Sequence, residues 1–233
     1  MPVVNAKAAR GTAARARPAK EPRGVARALA GDEARLEARR DLRRQEHEAL
    51  LRAAHRVFLR RGYRQTRVDD VMREAGISTR AFYRFHASKD ELFLELFDRA
   101  NTAAQARLRT TVARRGTATA KLDAYIDAHL DLAYDPRLRS EALLFLSVPA
   151  ELEERYAREV IACQEQLVDV LREIVVAGRA SGELATAESD DAWPLHGAIG
   201  AVMRRVLLSE APPARAPLAR GLKRFCRTGL GAS

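Results

Sequence analysis

Apolar residues recur at helical spacing along most of the chain. Leu50, Leu51, Ala54, Val57 and Phe58 fall three and four apart, one stripe of an amphipathic helix. Gly62 ends that helix, with Arg60 and Arg61 beside the negative end of its dipole. Thr66-Arg67-Val68-Asp69 then reads as a capped start, the Thr66 oxygen accepting from a first-turn amide. Val68, Val71, Met72 and Ala75 make a short apolar face that stops at Gly76. Ser78 is the next N-cap and opens a helix of one to two turns, Thr79–Phe85. Ser88-Lys89-Asp90-Glu91 has capping-box spacing and precedes Leu92, Phe93, Leu96 and Phe97, in a helix running to about Arg115.

Past Gly116 the helices lengthen. The pattern predicts amphipathic helices over residues 121–134, closed by Asp135-Pro136, over 137–147, over 151–180, over 190–209 and over 217–228. No strand-length alternation, hairpin signal or internal repeat occurs. Ala and Leu far outnumber aromatic residues, and the predicted fold class is all-α.

Charge divides the 233 residues unevenly. The net charge is +10, yet the last 144 residues hold nineteen Lys/Arg against twenty-one acids. The excess sits in residues 1–31, seven cations against one acid, and in residues 52–89, ten against three. A basic end on a near-neutral body is the footprint of a protein that meets a polyanion. Genomic base composition can also enrich Arg and Ala, but it does not explain the asymmetry.

The start of the chain has almost nothing to bury, so residues 1–42 are expected to be a basic, unstructured arm. An organelle transit segment is the other reading of an Arg-rich start, but residues 1–31 contain no Ser. No apolar run approaches the ~18 residues that span a bilayer, and none of signal-peptide length begins the chain. Cys163 and Cys226 are too few for a disulfide framework. The expectation is a cytoplasmic protein that does not engage membranes.

The informative stretch runs from Thr66 to Lys89: helix, Ala75-Gly76-Ile77-Ser78 turn, short helix, loop, capping box. Two short helices joined by a Gly turn have helix-turn-helix spacing, and the second is short enough to lie in a major groove. Ser78, Thr79, Arg80 and Tyr83 gather near its N-terminus, where hydroxyls, a guanidinium and free amides suit phosphates and base edges. A capped hairpin inside a core would not need so many cations beside so few acids.

These residues also resemble a known family. Leu50-Leu51, Ala53-Ala54, Val57-Phe58, Gly62-Tyr63, Thr66, Val68, Val71, Ala75-Gly76-Ile77-Ser78, Phe82-Tyr83 and Ser88-Lys89-x-Glu91-Leu92 are similar to the DNA-binding domain of the Tet-repressor family. The resemblance implies a three-helix domain over 43–88 and a helical effector-binding and dimerisation domain over 89–233. It implies double-stranded DNA as partner, read as a pseudo-palindromic operator by a homodimer, and release by a small-molecule effector. Repression is the family's usual sign. Thr66, Tyr83 and Lys89 fall where the family touches phosphate, and Ser78, Thr79, Arg80 and Arg67 where base or backbone contacts are made. Phe58, Val71, Ile77 and Phe82 should be core. Two positions depart: the family shows His or Tyr before Phe where this chain has Phe85-His86, so either ring could face the phosphate, and Met72 replaces a smaller residue.

Weaker signals lie downstream. Tyr125 and His129 stand one turn apart on one predicted helix, and Trp193 and His196 on another, so they are candidates for an effector pocket or for ordinary core. No short spacing links His129, Cys163 and His196 as metal ligands, so no metal is expected. Gly197, Ala198, Gly200 and Ala201 form a small-residue surface suited to close helix approach, within a subunit or between two. Walker A, HExxH, GxSxG and Rossmann glycine patterns are absent, so neither an enzyme nor a cofactor is expected. A non-specific DNA-compacting or nucleoid-type protein using the basic arm is the main alternative, and a helical enzyme the lesser one.

Overall fold

In the computed structural model, which describes residues 23–146 and 150–232, ten α-helices and one 3-10 turn follow one another. Among the described residues there is no strand, only an isolated bridge between Leu184 and Ala232. The all-α expectation holds. The chain divides into two units, Met1–Gln45 and Glu46–Ser233.

The first helix, α1 (Arg23–Gln65), begins well before Leu50. This corrects the expected arm over residues 23–42; the rest of the arm lies outside the described residues. The segment before Gln45 is dense in Arg, Glu, Ala and Leu, all strong helix formers, with Glu37/Arg40 and Asp41/Arg44 three apart. Such a helix needs no core, and Leu36 and Leu42 are exposed.

Then follow α2 (Val68–Ala75), α3 (Thr79–Phe85) and α4 (Lys89–Ala113). With the end of α1 they enclose a core of Leu50, Ala54, Val57, Phe58, Val71, Phe82, Leu92, Phe93 and Leu96. Phe58, Phe82 and Phe93 are wholly buried, and burial of each such side chain contributes roughly 1.5–3 kcal/mol. Phe93 meets Phe58 edge-on, ring centroids 5.4 Å apart.

The body contains α5 (Ala118–Tyr134), α6 (Pro136–Leu146), α7 (Ala150–Arg155), α8 (Ala157–Ser181), α9 (Ala192–Leu208) and α10 (Arg215–Gly229). Thr117 accepts the Ala120 N–H and starts α5 one turn earlier than its apolar stripe. The helix expected over 151–180 is broken at Tyr156 (φ −123°, ψ 37°), where no Pro or Gly demands it. The cause is tertiary. Leu144 of α6 and Leu152 of α7 belong to the core of the N-terminal helices, and Tyr156 packs against it, so the expected seam at residues 88/89 is bridged by shared packing.

The body core is formed by Leu122, Ile126 and Leu130 of α5, Leu171 and Ile174 of α8, Ile199 of α9 and Leu222 of α10. Asp123, Asp127 and Asp131, one per turn of α5, face Arg227 (2.9 Å), Lys223 (2.5 Å) and Arg215 (2.5 Å) of α10. The ladder sets the antiparallel register of the two helices, each partly exposed rung contributing up to about 1 kcal/mol.

At Gly178 the packing of α8 leaves no room for a side chain. A Cβ there would lie 2.4 Å from Leu184 Cδ1 and 3.0 Å from Ala118 Cβ. Gly178→Ala should destabilise the fold by about 1–3 kcal/mol through overpacking. A urea midpoint unchanged from the parent protein would show that this contact relaxes freely.

Candidate nucleic-acid interface

The interface is built on a turn. Gly62 takes φ 72°, ψ 164°, open to glycine alone, and kinks the last turn of α1 ahead of α2. The Thr66 hydroxyl donates to the freed Gly62 carbonyl at 2.8 Å, and Thr66 is 2% exposed. Its expected roles as helix cap and phosphate contact are therefore corrected. Arg67 is the N-cap of α2, and its N–H is accepted by the Asp70 carboxylate at 3.1 Å.

Lys89 turns inward as well. Its Nζ donates to the carbonyls of Tyr63 (3.0 Å) and Thr66 (3.1 Å) and lies 4.2 Å from the centre of the Tyr63 ring. Burial holds its pKa below the ordinary lysine value. In this structure the ammonium expected at a phosphate clasps the α1–α2 turn. Beside it the Tyr63 hydroxyl donates to Asp90, whose other oxygen accepts from Arg155 of α7 at 2.9 Å. Burial, then that bond, raises the Tyr63 pKa.

Gly76 takes the left-handed conformation (φ 66°, ψ 31°) and turns the chain from α2 into α3. Ser78 Oγ accepts the Ala81 N–H at 3.2 Å. Phe82, wholly buried, anchors the short helix and leaves Ser78, Thr79, Arg80 and Tyr83 exposed together on its outer side. The guanidinium groups of Arg80 and Arg67 have no hydrogen-bond or ion-pair partner among the described residues.

The remaining cations of the basic stretch are largely spoken for. Arg56 and Arg60 both hold Glu74 (2.9 and 2.7 Å), Arg61 holds Asp70 (2.7 Å), and Arg84 pairs with Glu46 while lying over the Phe85 ring. The ambiguity at Phe85-His86 resolves inward: His86 is 4% exposed and its Nε2 lies 2.7 Å from Glu95 Oε2. His86 is thereby removed from the DNA-facing set. Its carboxylate partner stands nine residues on and shares no motif with it, so spacing offers no signal for the pair.

Tyr125, His129 and His196 come together in the body. His129 Nδ1 donates to the Tyr125 carbonyl at 2.8 Å, and His196 Nδ1 lies 2.7 Å from the Tyr125 hydroxyl, which donates to Leu167 O at 3.3 Å. Tyr125 and His129 are buried and the network is closed. Trp193 stands apart at the surface, its indole N–H donating to Glu165 at 3.1 Å. A separate cleft of 260 Å³ opens between α4, α5 and α8, with Arg109 and Lys121 among its polar residues and Val112, Val170 and Ile174 among its apolar ones.

Comparison with known proteins agrees with this geometry. The sequence model of "Bacterial regulatory proteins, tetR family" matches residues 50–96. The HTH-type transcriptional activator FasR of Mycolicibacterium smegmatis (strain ATCC 700084 / mc(2)155) is 33% identical over 111 residues, covering 46% of this chain and 49% of that protein. The match thus spans about half the length of that curated relative. The fatty acid degradation regulator FadR of Bacillus halodurans superposes with a TM-score of 0.64 at 18% identity, over 81% of this chain and 97% of that one. The regulator FadR of Bacillus subtilis, solved in complex with stearoyl-CoA, gives 0.63 at 21% identity, over 78% and 98%. Residues 50–96 are thus similar to the tetR-family sequence model, and the chain as a whole shares the fold of these solved regulators.

Two outcomes follow. Lys89→Met should cost about 1.5–3 kcal/mol of stability, since its two acceptors lose a charged donor, whereas Arg80→Ala should stay within about 0.5 kcal/mol. Equal urea midpoints for the two variants would contradict the clasp. Burial, with a smaller contribution from His196, pushes His129 down to about 4. The unfolded chain therefore binds a proton near pH 6.5 that the native state refuses until about 4. Stability should fall as pH drops through that window, and His129→Gln should flatten the fall; parallel acid limbs would exclude His129 as its source.

Proposed function

We propose that this protein is a sequence-specific DNA-binding transcriptional regulator of the cytoplasm. The observation that carries the reading is the outer side of α3, where Arg80, Thr79, Ser78 and Tyr83 stand exposed on a helix anchored by Phe82. Arg80 suits bidentate pairing with guanine in the major groove, and Tyr83 and Arg67 suit phosphates. No catalytic role is assigned to any residue.

One seven-residue helix is too small a contact for tight binding, so the active species is a homodimer on a pseudo-palindromic site, with reading helices about 34–36 Å apart. Its interface is formed by the outer sides of α9 and α10. Trp193, Gly197, Ala201 and Leu208 are exposed at helical spacing along α9, and Phe225 is 63% exposed on α10. Open space around Gly197 and Gly221 lets a partner helix approach closely.

The effector is an amphiphilic anion of the acyl-CoA class, bound along the α4–α5–α8 seam. Support comes from the cleft, which sets Arg109 and Lys121 beside apolar side chains, and from the stearoyl-CoA complex of the Bacillus subtilis regulator. Repression relieved by this effector is the proposed sign. The activator name of the Mycolicibacterium relative favours the opposite sign as a second reading, and a promoter–reporter fusion with and without the protein separates the two.

DNA upstream of the protein's own gene, titrated by fluorescence anisotropy, tests the reading. A specific complex should form, and Arg80→Ala should lose about 1–3 kcal/mol of discrimination between cognate and scrambled sites. Parent protein binding both sites equally would favour non-specific compaction. Stearoyl-CoA should release the specific complex, and saturating DNA should weaken stearoyl-CoA binding by the same factor.

A further inference from the structure

Three helices bring two imidazoles and a carboxylate to one point behind α3. His47 Nε2 of α1 and His86 Nε2 at the C-cap of α3 lie 3.1 and 2.7 Å from the same oxygen, Oε2 of Glu95 on α4. The candidate ligand atoms of the three side chains all lie within 4.8 Å of one another. The other Glu95 oxygen is held by Arg99 Nε at 3.1 Å, and Arg99 is itself held by Glu48 at 2.8 Å, so the carboxylate is oriented with Oε2 toward the imidazoles. His86 is buried, whereas the side chains of His47 and Glu95 are 25% and 29% exposed, which leaves solvent access on one side.

We propose that His47, His86 and Glu95 form a site for a divalent transition-metal cation of the zinc class, with water in the fourth position. Two neutral imidazole nitrogens and one carboxylate oxygen are a donor set that suits zinc and leaves one position open. Zinc–ligand bonds of about 2.0–2.1 Å place tetrahedral donors about 3.3 Å apart. The two imidazole–carboxylate separations of 3.1 and 2.7 Å must open slightly and all three donors, now within 4.8 Å of one another, must settle near that spacing, an adjustment that the partly exposed His47 and Glu95 can supply. Arg99 on the second carboxylate oxygen is the outer partner that fixes a ligating carboxylate.

The metal-free state has its own bonds, each imidazole donating Nε2–H to Glu95. A cation takes Nε2 when each neutral ring carries its proton on Nδ1 instead, so the proton moves within the ring and coordination replaces the two hydrogen bonds. Because His86 caps α3, the ion ties the end of that helix to α1 and α4 without touching Arg80 or Tyr83. The site is separate from the proposed effector cleft and does not depend on the regulatory reading.

The test uses the full chain, stripped by a chelator and dialysed. Titration with CoCl2 should give one equivalent bound, with the visible absorption of four-coordinate cobalt, and one equivalent of ZnCl2 should bleach it. His47→Asn alters a half-exposed ligand, and circular dichroism checks that it stays folded; it should lower affinity by at least about tenfold. Cys163→Ser and Cys226→Ser should bind as the parent does. No cobalt band and no retained zinc at a tenfold excess of metal would overturn the proposal. So would undiminished binding by a folded His47→Asn protein, or loss of binding on replacing either cysteine.

Discussion

Helix α4 is buried in two cores at once, and the other elements take their places around it. Its 25 residues span about 37 Å at 1.5 Å per residue. Leu92, Phe93 and Leu96 fill the core of the N-terminal helices, while Leu108 and Val112 fill the core of the body. A helix held at both ends cannot tilt in one core without repacking the other. Leu144 and Leu152 reinforce the link from α6 and α7, and Arg155 adds a polar tie to Asp90 in the first turn of α4. Asp90 also accepts from Tyr63, and the neighbouring Lys89 holds the turn that precedes α2. The position of the helices around the α1–α2 turn is thus tied to contacts originating in the body.

Electrostatics inside the head sort its cations into two groups. Arg56, Arg60, Arg61 and Arg84 are matched by Glu74, Asp70 and Glu46, and Lys89 is consumed by backbone carbonyls. Arg67 and Arg80 keep their guanidinium groups unmatched on the outer surface. A basic segment can therefore carry a large formal charge and still present a small, directed set of donors. Matched pairs fix the angles between helices, and unmatched groups remain for a ligand.

Histidines illustrate how partners decide the setting of one residue type. His129 and His196 sit with Tyr125 in a closed network, where desolvation keeps the imidazoles neutral. His47 and His86 instead share the Glu95 carboxylate through Nε2, at a point open to solvent on the side of His47 and Glu95.

Much of the fold was legible in the amino-acid order. The helical period of Leu50 to Phe58, the caps at Ser78 and Ser88 and the turn at Gly76 depend on neighbours within a few residues, and all appear where the pattern puts them. The exposed quartet on α3 was legible for the same reason, since Phe82 decides which side faces in. The roles of Thr66, Lys89 and His86 were not. Their partners Gly62, Tyr63 and Glu95 have no common spacing, and a hydroxyl, an ammonium or an imidazole serves a carbonyl as readily as a phosphate. The break at Tyr156 was hidden too, because nothing local requires it and only the packing of Leu152 against the head does. Period and capping are properties of adjacent residues, so the chain by itself determined most of the helices and which side of α3 stands exposed. Which polar groups turn inward is set by desolvation and by partners far along the chain, and only the tertiary structure decided that.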